Sequence, residues 1–187
     1  MSLVGSETGQ TEPRRRLFFA LWPDDGVRAD LAQTATDLLG KRIKRVPAAN
    51  LHITLAFAGV VTAPVRDCLE AAAGNIRCSA FELCIDHVGH WPRPRIFWIG
   101  PTHTPPALWS LAGLLRTALE DCGLQAETRP YQPHVTLARK ISATNVIQQG
   151  TTQIEPVHWS IRRFCLLESV TGPRAASYRI LASWALF

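Results

Sequence analysis

Short runs of consecutive apolar residues alternate along this chain with longer segments whose apolar residues recur every three or four positions. The first run, RLFFALWP (16–23), has the length and the closing proline of a buried strand. The segment 24–40 then shows helical spacing that stops at a glycine. After the basic turn KRIKRVP (41–47), the alternation in LHITLAFAG (51–59) predicts a second strand.

The same order of elements occurs again in the second half of the chain. RIFWIGP (95–101) opens with the Arg-x-Phe pattern of the first strand, and 105–123 is an amphipathic helix with prolines at its start and a glycine at its end. A turn then leads into HVTLAR (134–139). The Arg-x-Phe strands start 79 residues apart and the His-x-Thr motifs lie 82 apart. Two copies of one strand–helix–strand unit explain both spacings.

Further elements complete each unit. The patterns predict a helix over 64–76, a strand over 80–91, and two late strands over 156–170 and 178–186. Strands and helices intermix without strict alternation, which predicts an α+β fold with two antiparallel or mixed sheets flanked by helices. We expect two lobes, related by a pseudo-twofold axis, that face each other across a central groove.

Composition and charge limit the class of protein more than its function. Hydrophobic residues make up 47% of the chain and charged residues 19%, as in a globular protein with a sizeable core. We expect one domain over 16–187, preceded by a disordered lead-in over 1–15. The net charge of +5 suits a polyanionic partner and equally a mildly basic soluble protein. No segment reaches the ~18 apolar residues of a membrane span, which favours a cytoplasmic protein.

The five cysteines form an odd, scattered set without a C-x-x-C pair. This distribution predicts neither a disulfide framework nor a zinc site, and it suits a reducing compartment.

Both His-x-Thr motifs place a titratable ring and a hydroxyl on one side of a strand that otherwise resembles a core strand. Residues i and i+2 of a strand project to the same face, so His52 lies with Thr54, and His134 with Thr136. One such motif is weak evidence, because a lone histidine in a strand is usually a core residue bonded to a carbonyl. Two copies at matching places of a repeat indicate a functional site instead.

Two imidazoles and two hydroxyls in one groove suit phosphodiester hydrolysis without a metal. One histidine would activate water as a base and the other would protonate the departing oxygen, roles that require opposite protonation states. The threonine hydroxyls would donate to the non-bridging phosphate oxygens.

The chain resembles the 2H phosphoesterase superfamily, which is named for its paired His-x-Thr-x motifs. More closely it is similar to the LigT-type RNA 2′,3′-cyclic phosphodiesterases, also called the 2′-5′ RNA ligase family. The similarity extends over 16–187, and the segments that carry it are RLFFALWPDD, LHITLAFAG, HWPRPRIFWIG, RPYQPHVTLARK, FCLLES and YRILASWAL.

This resemblance implies hydrolysis of an RNA or nucleoside 2′,3′-cyclic phosphate to a 2′-phosphomonoester, with neither metal nor nucleotide cofactor. By motif position, His52 corresponds to the proton donor and His134 to the proton acceptor, while Thr54 and Thr136 hold the phosphate. The implied partners are RNA with cyclic phosphate ends, including tRNA halves, and small nucleoside cyclic phosphates; we expect a monomer. Three alternatives stay open: a 2′-5′ RNA ligase, a small-molecule cyclic phosphodiesterase, and a non-catalytic RNA-end binding module.

Candidates for substrate binding outside the motifs are one arginine and several aromatic residues. The resemblance implies that Arg139 lies near the phosphate, but strand parity points it away unless a β-bulge intervenes. Phe18, Trp98 and Tyr131 are candidates for stacking a base, whereas Phe57 is predicted to pack in the core.

Overall fold

The computed structural model describes residues 14–141, 153–172 and 176–187. Within these ranges the α-helices are α1 (Asp25–Leu39), α2 (Ala63–Gly74) and α3 (Pro106–Asp121), and a short 3-10 helix spans Ala48–Asn50. The strands are β1 (Arg15–Leu21), β2 (Ile53–Val61), β3 (Phe81–Trp91), β4 (Ile96–Gly100), β5 (Val135–Arg139), β6 (Gln153–Ile161), β7 (Arg163–Thr171) and β8 (Ala176–Ala185). The α+β class and the repeated strand–helix–strand order are confirmed.

The strands of the described residues form one antiparallel sheet of eight, in the order β6-β3-β4-β5-β2-β1-β7-β8. The prediction of two separate sheets is therefore wrong. One four-stranded half contains β1 and β2 of the first repeat with β7 and β8, and the other contains β4 and β5 of the second repeat with β3 and β6. The halves join where Ile53 of β2 pairs with Val135 of β5. Both residues follow directly after the histidines of the two motifs, so the junction brings the motifs together at the centre of the sheet.

The two faces of the sheet carry separate apolar clusters, as β1 shows. Leu17 and Phe19 are fully buried in the main core, which also contains buried residues from all three helices. Phe18 and Ala20 point to the opposite face, where they form a smaller cluster with Cys165 and other residues. The helices reach across the molecule, since α1 packs against β6 and α3 against β2. This arrangement covers one face of the sheet and leaves the other for the site.

Local signals account for the helix ends. The carboxylate of Asp24 accepts a hydrogen bond of 2.9 Å from the backbone N–H of Val27 and so caps α1. The chain leaves α1 through Gly40, whose φ of 63° favours glycine. A proline at the first position of α3 costs no hydrogen bond there.

Two predicted boundaries change. The single strand expected over 156–170 is two strands, β6 and β7, which separate at Arg162 and lie in different halves of the sheet. No glycine or proline lies at the boundary between β6 and β7. The apolar pattern therefore continues across this boundary and predicts one strand. Arg15, assigned to the lead-in, instead begins β1 opposite Val61. Residues 1–13 of the lead-in lie outside the described residues.

A disulfide joins Cys68 of α2 to Cys122, which directly follows α3. Their Cα atoms are 5.9 Å apart although 54 residues separate them in sequence. The expectation that the cysteines form no disulfide is therefore wrong, because packing of the two helices brings together residues whose spacing carries no motif.

None of the helices in the described ranges has the length and apolar character needed to span a membrane.

Candidate active site

The two motif histidines are oriented by the same backbone contact. Nδ1 of His52 lies 2.7 Å from the carbonyl oxygen of Asn50, and Nδ1 of His134 lies 2.8 Å from that of Gln132. A carbonyl oxygen only accepts, so Nδ1 carries the proton in both rings. Each Nε2 therefore holds a lone pair when the ring is neutral and a second N–H when it is charged. That nitrogen can serve as base or as acid.

Both motif pairs line one small cavity, of about 70 Å³, at the centre of the sheet. Thr54 also touches its own histidine, since its Oγ1 lies 3.2 Å from Nε2 of His52. With Nε2 unprotonated, the hydroxyl is the donor in this contact. Among the described residues, the lining consists of Val46, Asn50, His52, Thr54, His134, Thr136, Arg139 and Tyr178.

Arg139 reaches this cavity because of a β-bulge. The pairing of β5 with β4 slips by one residue at Leu137, so that Leu137 and Ala138 both turn into the main core and are fully buried. The extra residue reverses the parity of the strand beyond it, and Arg139 joins the face that carries Thr136. Strand parity alone was thus misleading for Arg139.

The first motif contains the same irregularity. The pairing of β2 with β1 slips at Leu55, and Leu55 and Ala56 both pack against the main core. Phe57 consequently turns to the site face, in the position that Arg139 occupies in the second copy. Its side chain is 46% exposed. The prediction that Phe57 packs in the core is wrong.

Aromatic rings enclose both imidazoles. The ring centroid of His52 lies 5.1 Å from that of Phe18, 5.8 Å from that of Trp22 and 5.1 Å from that of Tyr178. On the other side, the ring of Trp91 meets His134 edge to face at 4.6 Å. These walls limit the contact of the rings with water, and both histidines are only partly exposed.

The three residues predicted to stack a base differ in their position relative to the cavity. Phe18 and Trp98 contact the two imidazoles, but they are only 3% and 6% exposed. They support the histidines more than they offer a surface to a ligand. Tyr131 is absent from the cavity lining and packs against Trp109 of α3, with ring centroids 5.8 Å apart. This geometry gives no support to base stacking by Tyr131.

Burial lowers the pKa of both histidines. Desolvation is the main cause for His52, whose pKa falls from 6.5 to about 4; its bond to the Asn50 carbonyl opposes this in part. Desolvation also lowers the pKa of His134, and the positive charge of Arg139 acts in the same direction on both rings. Both imidazoles are therefore neutral at pH 7 in the protein without ligand.

The sequence did not indicate Asn50 or Tyr178. Besides orienting His52 through its carbonyl, Asn50 donates from Nδ2 to the backbone oxygen of Ala176 at 2.7 Å, which fixes the start of β8. That strand carries Tyr178 to the edge of the His52 ring. Asn50 directly precedes the first motif, so position was an available signal for it. No local pattern connects Tyr178 with a motif over a hundred residues earlier.

In the described parts of the chain, no three His, Cys, Asp or Glu side chains are grouped as metal ligands.

A family model described as the 2′-5′ RNA ligase superfamily matches residues 23–173, a range that contains both motifs and all of the cavity lining except Tyr178. The chain belongs to this superfamily. Similarity to individual proteins of the superfamily extends over nearly the whole chain in one case and over little more than half of it in another. The RNA 2′,3′-cyclic phosphodiesterase of Escherichia coli K12 is 35% identical over 94% of this chain and 98% of its own length. The protein of that name from Aeropyrum pernix is 33% identical over 57% of this chain and 62% of its own length.

Solved structures of the superfamily share the fold. E. coli LigT complexed with 3′-AMP superposes with a TM-score of 0.82 at 32% identity, covering 93% of this chain and 99% of LigT. The phosphate complex of the same protein gives a TM-score of 0.77 at 30% identity, covering 92% and 98%.

Proposed function

We propose that this protein hydrolyses the 2′,3′-cyclic phosphate of an RNA 3′ end or of a nucleoside to a 2′-phosphomonoester. The observation that carries this proposal is the pair of repeated motifs around one cavity, with both imidazoles held by backbone carbonyls through Nδ1. The names of the superfamily relatives support the substrate class.

The proposed reaction is a displacement at phosphorus with the two histidines on opposite sides. His134 accepts a proton at Nε2 from a water molecule, whose oxygen forms the new bond to phosphorus. The bond between phosphorus and O3′ breaks, and His52 donates its Nε2 proton to O3′. The phosphate stays on O2′. These donor and acceptor roles follow the resemblance to the family, since the near-symmetric carbonyl contacts of the rings do not distinguish them.

The other polar groups of the lining would hold the phosphate between the histidines. Thr54, Thr136 and Arg139 supply two hydroxyl donors and one fixed positive charge on the same face of the sheet. Their interactions strengthen as negative charge builds on the non-bridging oxygens in the transition state. Phe18 and Trp98 pack against the imidazoles and restrict their movement. We further propose that the site lies in a groove between two lobes.

The natural substrates would be RNA molecules with cyclic phosphate ends, including tRNA halves, and small nucleoside cyclic phosphates. We also propose that the protein is a cytoplasmic monomer, although the Cys68–Cys122 disulfide removes the support that the scattered cysteines gave to a reducing compartment. The superfamily description adds ligation as a second candidate activity. In this reaction, a 5′-hydroxyl replaces water as the nucleophile, and its attack with loss of O3′ yields a 2′-5′ phosphodiester. The same four motif residues would serve both reactions.

The experiment is a product analysis with adenosine 2′,3′-cyclic phosphate and a cyclic-phosphate oligonucleotide, followed by ³¹P NMR. We expect the 2′-phosphomonoester to form in excess EDTA, and His52→Ala and His134→Ala each to lower kcat/KM by ~10²–10⁴-fold. A substrate whose 3′ oxygen is a good leaving group should restore His52→Ala more than His134→Ala. Exclusive formation of the 3′-phosphomonoester, or activity that survives both substitutions, would overturn the proposal.

A further inference from the structure

Basic residues are concentrated in three short segments that lie far apart in the sequence. They are 41–45 in the turn after α1, 93–95 in the turn between β3 and β4, and 139–140 at the end of β5. Together these segments hold eight of the 20 lysines and arginines of the chain, and none of them contains an aspartate or a glutamate. The catalytic motifs do not require this concentration of charge.

Backbone contacts place the three segments side by side. Arg45 lies opposite Ala138 in an isolated β-bridge, on one side of β5. On the other side of β5, the N–H of Ile141 donates to the carbonyl of Arg95 at 3.2 Å. Neighbouring strands are about 4.8 Å apart, so the backbone of the three segments spans roughly 10 Å. The three segments therefore form one continuous strip, the basic surface.

The charges of the basic surface are available to a partner. The charged side chains are exposed except that of Arg45, which is half-buried and donates to the carbonyl of Gly40 at 2.8 Å. In the described part of the chain, the ion pairs use arginines from outside the basic surface. Like charges gathered without acidic partners repel one another, and such an arrangement is typical of a surface that binds an anionic ligand.

The basic surface is continuous with the cavity of the site. Arg139 belongs to both, and Val46, which directly follows the first basic segment, is also part of the cavity lining. The N–H of Val46 donates to the carbonyl of Leu137 at 2.7 Å, so β5 fixes the position of this segment relative to the cavity. The cavity, of about 70 Å³, is far smaller than a pocket for a whole drug-sized ligand. Any further phosphate groups of a substrate therefore lie outside it.

We propose that the basic surface binds the phosphodiester backbone of the nucleotides that precede the cyclic phosphate of an RNA strand. This inference rests on the proposed function and narrows its substrate to RNA strands, in preference to nucleosides. The partner is a strand rather than an anionic membrane, because the charges lead into a cavity that takes one phosphate group. Phosphate contacts carry no sequence information, so the surface favours a strand without selecting its sequence.

The test compares two substrates that share the reacting group. Adenosine 2′,3′-cyclic phosphate carries only the phosphate that enters the cavity, whereas a hexa-adenylate that ends in the same cyclic phosphate also carries a backbone. The variant Lys44→Gln/Arg95→Gln/Lys140→Gln removes one exposed charge from each segment and leaves the cavity lining unchanged. At about 50 mM KCl it should lower kcat/KM for the hexa-adenylate by about 10- to 100-fold, through KM, and that for the adenosine substrate by less than about threefold.

The dependence on salt gives a second readout, which a merely structural effect does not change. Each contact with a phosphate of a single strand contributes about 0.7 to the slope of log kcat/KM against log salt concentration. With three such contacts, the slope for the hexa-adenylate should be steeper by about 2 than the slope for the adenosine substrate in wild type. The triple variant should remove this difference.

A charge-matched variant controls the comparison. Arg77→Gln/Arg116→Gln/Arg162→Gln removes the same number of exposed charges outside the basic surface and should leave the kinetics of both substrates unaffected. An equal loss in this control would show that total charge, and not the basic surface, attracts the strand, and would overturn the proposal.

The remaining outcomes separate this inference from the proposed function. Equal losses on both substrates, or unchanged kinetics on both, would overturn strand binding by the basic surface. Unchanged kinetics together with weaker sedimentation of the triple variant with phosphatidylserine vesicles would assign the surface to a membrane instead. Wild-type protein that hydrolyses neither substrate would refute the proposed function itself, and the inference with it.

Discussion

Lowering the pH from 7 to 4 should destabilise the folded protein through the burial of His52. In the folded state desolvation brings the pKa of this ring to about 4, whereas an unfolded chain holds it near 6.5. Between these values the unfolded state binds a proton that the folded state does not. The contribution of His52 to stability is therefore complete above pH 6.5, is lost as the pH falls toward 4, and does not change further below that.

The size of the effect follows from the pKa difference. Each pKa unit corresponds to about 1.4 kcal/mol, so the free energy of unfolding should fall by about 3 kcal/mol over this range because of His52. His134 adds a loss of the same sign, since burial also lowers its pKa. Carboxylates titrate in the same range, which makes a comparison with a variant necessary.

The free energies of unfolding of wild type and His52→Gln can be measured by urea unfolding at several pH values, followed by tryptophan fluorescence. Contributions that both proteins share cancel in the difference between their free energies of unfolding. Between pH 7 and pH 4 this difference should change by about 3 kcal/mol, because wild type loses stability that the variant does not lose. The variant His158→Gln, at an exposed position of β6, separates the effect of burial from that of losing a histidine. Parallel pH profiles for wild type and His52→Gln would refute the argument that desolvation controls His52.

Two further predictions concern the hydroxyls and the disulfide. Thr54→Val and Thr136→Val should each lower kcat by ~10²-fold or more, as expected for a lost transition-state donor; Thr34→Val on the exposed side of α1 is the control, and normal rates in both site variants would contradict phosphate binding by the threonines. Reducing the Cys68–Cys122 bond, which closes a loop of 54 residues, should lower the free energy of unfolding by about 4 kcal/mol without changing kcat/KM. An unfolding midpoint that does not respond to reductant would show that the bond does not form in solution.

The elements that the sequence predicted well are those with a local pattern. The helices and most strands follow from apolar spacing, and the repeated order follows from comparing two segments of the same chain. One sheet instead of two depends on the pairing of Ile53 with Val135, a contact between distant segments that no local pattern encodes. The same holds for the disulfide, which depends on how two helices pack.

The candidate site was predictable in its motif residues but not in what surrounds them. The bulges at Leu55 and Leu137 contain no glycine, and each inserts one more buried residue into a strand that is already apolar. Without them, strand parity places Phe57 and Arg139 on the wrong face. Because the bulge occurs at the same step of both copies, it belongs to the repeated His-x-Thr-Leu-Ala unit, and it turns the residue that follows the unit to the face that carries the motif histidines.

The low pKa values raise a question for the mechanism, because one histidine must begin the reaction protonated. With a pKa of about 4, only roughly one His52 ring in a thousand carries a proton at pH 7 in the protein without ligand. Desolvation and the charge of Arg139 both keep it neutral. An anionic phosphodiester in the cavity would oppose that charge and attract a proton to the ring it touches, so the acid would be generated by substrate binding. We therefore expect the pKa of His52, measured by NMR of its imidazole nitrogens, to rise when inorganic phosphate is added. A pKa that stays near 4 in the phosphate complex would contradict the donor role of His52.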